Sequence, residues 1–155
     1  MTDLRWHVDV SADEALALHA GGYLGAGSIA LGRLCGRCGS TAHGAPWLRH
    51  LGRLVPVSLS RAGGQLVTVI AERPVGVDIE VVSSVAARWD PSLVLADGEL
   101  ASSPDDQALV WTCKEALLKA RGVGLTVPMA SVRLAGAEVE RIFTPPGLVG
   151  ALAFA

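Results

Sequence analysis

Lysine is nearly missing from this chain: of thirteen basic residues eleven are arginine, and both lysines, Lys114 and Lys119, fall in one short segment. Aromatic residues are sparse at 5% and charged residues reach only 18%, so packing must rely on Ala, Leu and Val. Acidic residues outnumber basic ones, and a formal net charge of −2 argues against a non-specific nucleic-acid binder. No apolar run approaches the ~20 residues of a membrane span. The first twenty residues carry Asp3, Arg5, Asp9, Asp13 and Glu14, which is no secretory leader. Three cysteines, an odd number, do not suit a disulfide framework. These absences lead to the expectation of a cytoplasmic domain with reduced thiols, binding neither nucleic acid nor membrane.

Half of the 155 residues are hydrophobic, enough for a real core in one domain or two very small ones. Ser11 can cap a helix over residues 11–20 that Gly21 and Gly22 should end. Residues 23–34 read as a weak helix or loop. A GxGxxA stretch at Gly25 lacks a preceding strand and is set aside. Residues 35–50 read as a Gly- and Pro-rich connector. Period-two alternation then predicts strands at 57–60, 66–71 and 75–82, the first two joined by a turn at Gly63-Gly64. Ser103-Pro104-Asp105-Asp106 opens the strongest helix, reaching about Arg121. Strands are expected to follow at 132–134, 139–143 and 148–154. Strands, a helix and further strands predict an α+β fold, an antiparallel sheet packed on a long helix.

Asp78 and Glu80 sit two apart on the strand Gly76-Val77-Asp78-Ile79-Glu80, so their carboxylates share a face while Val77 and Ile79 face the core. On the helix, Leu109, Cys113, Ala116, Leu117 and Ala120 form the expected buried stripe. Trp111, Glu115 and Lys119 form a second one. Solvated edge acids and an exposed Glu–Lys pair would explain each motif alone. Together, Asp78, Glu80 and Glu115 can build an oxygen-rich site for Mg²⁺, and Lys119 can hold a phosphate as a point charge. Metal plus lysine is equipment for phosphoryl chemistry.

Gly76-Val77-Asp78-Ile79-Glu80, followed about thirty residues later by Trp111-Thr112-Cys113-Lys114-Glu115-Ala116-Leu117-Leu118-Lys119, resembles the paired motifs of the 4′-phosphopantetheinyl transferase superfamily. Val57-Ser58-Leu59-Ser60, the Gly63-Gly64 turn and Gly122-Val123-Gly124-Leu125 are similar to its flanking motifs. The resemblance implies Mg²⁺-dependent transfer of the phosphopantetheine arm from coenzyme A to a serine of an acyl or peptidyl carrier protein. It implies Asp78, Glu80 and Glu115 as metal ligands. Glu115, Lys119 and Asp78 become the catalytic groups, with Glu115 helping to remove the serine proton. Ser60, Arg61, Lys114 and Lys119 fall to the coenzyme.

The chain departs from the surfactin-synthetase-activating type at three points. Arg61 stands where that type has His, and Ala45 where it has Lys. The first half, residues 1–74, is abbreviated relative to the motif-bearing half, residues 75–155. Either that half is a reduced unit or a second copy completes the cleft, which makes a homo-oligomer conceivable. The departures also admit another reading, a homologue that binds coenzyme A or carrier proteins without transferring the arm. Separately, Cys35-x2-Cys38-x4-His43 has part of the spacing of a zinc knuckle, with His50 as a conceivable fourth ligand. Cys113 reads as a core residue, Trp111 as core or lid, and His7 and His19 have no visible partners.

Overall fold

A computed structural model describes residues 1–155, the side chain of Leu125 excepted; of the motif after the long helix, that side chain therefore lies outside the described residues. The first strand, β1 (Thr2–His7), lies in a stretch without a sequence expectation. It pairs antiparallel with β6 (Gln65–Ala71), which pairs in turn with β5 (Val57–Ala62) across the Gly63-Gly64 turn. A second antiparallel sheet holds β2 (Ile29–Leu34), β3 (Ala45–His50) and β4 (Arg53–Val55). The third holds β7 (Val75–Val81), β9 (Leu148–Phe154) and β8 (Val139–Arg141), in the order β7-β9-β8.

Four helices, two of them short, and two 3₁₀ turns complete the described elements. α1 (Ala12–Tyr23) begins with a capping box between Ser11 and Glu14. α2 (Val82–Ala86) and α3 (Pro91–Val94) are short. α4 (Pro104–Ala120) has Pro at its start and a capping box between Ser103 and Asp106. The architecture is α+β with antiparallel sheets.

Several local expectations change. α1 runs through Gly21 and Gly22 and closes with Leu24 N donating to Ala20 O; at Gly22 the missing side chain makes room for Arg5, since a Cβ there would stand 2.7 Å from an Arg5 nitrogen. Residues 29–34 and 45–50 are paired strands and not helix or connector, since Ile29, Leu31 and Leu48 pack with Leu16, Ala20 and Ile70. Tertiary packing overrides weak local propensity. Val132–Leu134 is no strand: a 3₁₀ turn at Met129–Ser131 buries Met129 and Val132 under α4. The closing strand expected at 139–143 is shorter, Val139–Arg141.

His7 and His19 do have partners. His19, fully buried, donates from Nε2 to Asp3 (2.9 Å) and accepts at Nδ1 from Thr68 (2.7 Å), whose hydroxyl oxygen accepts from His7 (2.8 Å). Burial lowers the His19 pKa despite the attraction of Asp3, so the neutral ring suits this donor–acceptor chain. It cements α1 to β1 and β6.

The central core lies between the first and third sheets. Val67, Val69 and Ala71 of β6 meet Val75, Val77 and Ile79 of β7. The opposite face of β7 receives α4, and the approach is very close. A Cβ at Gly76 would stand 1.9 Å from the Ala116 carbonyl oxygen, so only glycine lets the helix settle there. That contact sets Glu115 and Lys119 over the acidic face of β7.

Candidate active site

β7 pairs with β9 along one edge only, with Asp78 opposite Ala151 and Glu80 opposite Val149. Its other edge leaves backbone N–H groups in need of acceptors. Two serines of β5 supply them: Ser58 Oγ accepts from Val77 N (3.1 Å) and Ser60 Oγ from Ile79 N (3.2 Å). Ser60 Oγ also donates to Asp78 Oδ1 at 2.8 Å. The seam between the first and third sheets is therefore stitched by hydroxyls, and Asp78, only 4% exposed, is fixed in it. Its second oxygen, Oδ2, is buried without a hydrogen-bond partner.

Lys119 completes the seam. Its ammonium donates to Asp78 Oδ1 (2.7 Å), Val77 O (3.0 Å) and Leu59 O (3.4 Å). Its side chain remains 29% exposed on the cleft side.

The two glutamates face the same cleft. Burial, then the charge of Asp78, raises the Glu80 pKa. Burial raises Glu115 to about 7, with Asp78 and Glu80 adding repulsion and Lys119 opposing it. The indole Nε1 of Trp111 is buried without a partner and lies toward Glu80. Asp78, Glu80 and Glu115 thus sense one another, yet their oxygens do not all stand within 4.8 Å of one another; among the described residues, only Cys35, Cys38 and His43 meet that spacing. The donor set nevertheless suits a hard divalent cation. Three carboxylates face one ammonium, one carboxylate oxygen is unpartnered, and burial, with repulsion from the neighbouring acids added, raises the pKa of both glutamates.

Two residues assigned to the coenzyme lie elsewhere. Lys114 is fully buried on the far side of α4, where it donates to Val94 O (2.6 Å) and Met129 O (3.1 Å) and pairs with Glu99. It joins the buried surface of α4 with Ala108, Thr112, Ala116 and Leu117, while Leu109 and Cys113 are only half-buried. Arg61 is exposed and donates to Val10 O at 2.8 Å; strand alternation turns it away from Ser60. Ser60 belongs to the site, but its hydroxyl is committed to Asp78 and the β7 backbone.

The sequence reading missed a groove of about 600 Å³ running along the seam. Gly44–Leu48 and Leu54–Leu59 form one side; Pro74, Val75 and the end of α4 form the other. The cations of the groove are Arg33, held by Asp13 at 3.0 Å, and Lys119, which also touches Asp78. No motif points to Arg33, since β2 itself is weakly patterned.

His50 cannot serve as the fourth ligand to the cysteine pair. It stands opposite Ile29, at the other end of the β2–β3 hairpin from Leu34 and Ala45, which adjoin the cysteine loop. Cys113 has its thiol raised to about 11 by burial, which suits a packing residue and not a nucleophile.

No helix among the described residues is long and apolar enough to cross a membrane. No curated protein matches the chain. Residues 74–147 match the family model of the 4′-phosphopantetheinyl transferase superfamily, a stretch that contains Asp78, Glu80, Glu115 and Lys119. The acids of β7 and the Glu–Lys pair of α4 thus lie inside the part of the chain, residues 74–147, that is similar to the 4′-phosphopantetheinyl transferase superfamily.

Proposed function

We propose that the chain transfers the 4′-phosphopantetheine arm from coenzyme A to a serine hydroxyl of an acyl or peptidyl carrier protein, with Mg²⁺ as the metal. The observation that carries this reading is the position of Lys119, which lines the groove and at the same time holds Asp78 beside Glu80 and Glu115. The groove has room for an extended substrate, and Arg33 offers a second cationic contact for its phosphates.

In the proposed reaction the serine oxygen forms a new bond to the phosphorus that carries the pantetheine arm. The bond from that phosphorus to 3′,5′-ADP breaks, and the hydroxyl proton passes to Glu115. Burial brings the pKa of the metal-free Glu115 to about 7, and a Mg²⁺ beside it would favour the carboxylate that accepts the proton. Asp78, Glu80 and Glu115 would hold the Mg²⁺, which would offset charge on the pyrophosphate oxygens. Lys119 supplies a positive charge at the same end of the groove, and Ser60 keeps Asp78 aimed.

An apo carrier protein incubated with the chain, coenzyme A and Mg²⁺ tests the proposal by intact mass. The expected result is the mass increase of one phosphopantetheine arm, lost with Glu115→Ala. An unchanged carrier mass with wild-type protein, together with measurable binding of coenzyme A, would favour a homologue that binds without transfer.

A further inference from the structure

The loop between β2 and β3 holds a second cluster, remote in chemistry from the acids. Cys35, Cys38 and His43 each bring one donor atom to within 4.8 Å of the others, and Cys38 Sγ lies 3.4 Å from His43 Nε2. Tetrahedral zinc with ordinary bond lengths separates a sulfur and a nitrogen ligand by about 3.5 Å. An S–H···N hydrogen bond joins Cys38 and His43, and Cys35 brings the set to three convergent donors.

The loop backbone is organised around this cluster. Cys35 N donates to Ser40 O (2.9 Å), and Gly39 N donates to Cys35 O (2.8 Å). The N–H groups of Cys38 and Arg37 are directed at the Cys35 sulfur. The chain then returns hard against its own start. A Cβ on Gly44 would stand 2.4 Å from Cys35 N and from Leu34 O, at a φ of +108° that side chains rarely adopt. Glycine at this crossing holds the adjacent His43 beside the cysteines.

We propose that Cys35, Cys38 and His43 bind a zinc-class divalent ion. Soft sulfur and imidazole donors select zinc and not Mg²⁺, so this site and the acidic cleft draw on different metals. Three protein donors leave a fourth position for water or an exogenous ligand. Because Gly44, Ala45 and Pro46 line the groove directly after His43, the ion would clip that wall in place.

Metal analysis of protein purified under reducing conditions, without chelator, should find about one zinc per chain. Cobalt added to the zinc-stripped protein should give the thiolate-to-cobalt absorption of a tetrahedral site. Cys35→Ser and Cys38→Ser should abolish both signals, whereas His43→Cys, which restores a donor, and Cys113→Ser should keep them. Far-UV circular dichroism of each variant separates metal loss from misfolding. The proposal is overturned if folded, reduced wild-type protein takes up neither zinc nor cobalt, or if Cys113→Ser loses the metal as readily as Cys38→Ser. It is equally overturned if the metal-free chain is isolated with Cys35 and Cys38 joined as a disulfide that, once reduced, binds no zinc. None of these readouts involves arm transfer.

Discussion

Lys114 and Lys119 stand five residues apart on one helix and are built alike, yet they serve opposite sides of the molecule. Each ammonium meets two backbone carbonyls and one carboxylate: Val94, Met129 and Glu99 for the first, Leu59, Val77 and Asp78 for the second. A compact ammonium with three donors suits such a nest in a way that a planar guanidinium does not. That requirement explains why an arginine-rich chain keeps lysine at these two positions. The difference lies in exposure. Lys114 is sealed inside the fold, whereas Lys119 opens onto the groove beside three acids.

The largest effect should come from Lys114→Met. It strands Glu99, whose oxygens would keep only the N–H groups of Ala96 and Leu134. Removing one partner of a buried pair costs several kcal/mol; with Glu99 partly exposed we expect about 3 kcal/mol, read from chemical denaturation. Mg²⁺ should restore none of it. A loss under ~1 kcal/mol would mean that this nest contributes little cohesion.

Lys119→Met should be milder in stability, about 2 kcal/mol, since Asp78 retains Ser60. Here Mg²⁺ should recover part of the loss, because a divalent cation can replace the missing charge among the acids. Arm transfer should fall by ~10²-fold or more even in Mg²⁺. If Mg²⁺ protects the two variants equally, the contrast between the nests disappears.

The acidic strand, the capped helix and their Glu–Lys stripe were legible in the sequence because each follows a strict period. Asp78 and Glu80 alternate with buried Val77 and Ile79, and Ser103 with Asp106 forms a local cap. The assignment of Lys114 failed because motif adjacency says nothing about direction: one residue along a helix turns the side chain by about 100°. β2 and β3 were hidden because glycine and proline dilute their pattern, and their burial depends on α1 and β6, distant in sequence. Arg33 and the groove were hidden for the same reason.

Glu115 separates electrostatic tension from packing, with the opposite sign to the lysine variants. Its folded pKa of about 7 stands above the ordinary 4.5, so between these values the folded chain binds more protons than the unfolded one. The contribution of Glu115 to stability therefore declines as pH rises from about 5 to 8. Glu115→Gln escapes this cost: it should be more stable than wild type at pH 8 by on the order of 2 kcal/mol, with the gap closing toward pH 5. Mg²⁺ should stabilise wild type at pH 8 more than the variant. A gap that does not change with pH would mean that Glu115 is not held protonated by its surroundings.

Ser60→Ala should give the smallest effect and the finest distinction. The hydroxyl has two duties, accepting from Ile79 N at the open edge of β7 and donating to Asp78. Losing a buried acceptor and donor costs about 1–2 kcal/mol. Ser58 makes only the backbone contact, to Val77 N. Ser58→Ala thus measures the stitching of the seam without touching the acid. The excess loss of Ser60→Ala over Ser58→Ala isolates the bond to Asp78, and only Ser60→Ala should change the response of stability to Mg²⁺. Equal losses and equal Mg²⁺ responses would reduce Ser60 to a second stitch and leave Lys119 as the sole group that aims Asp78.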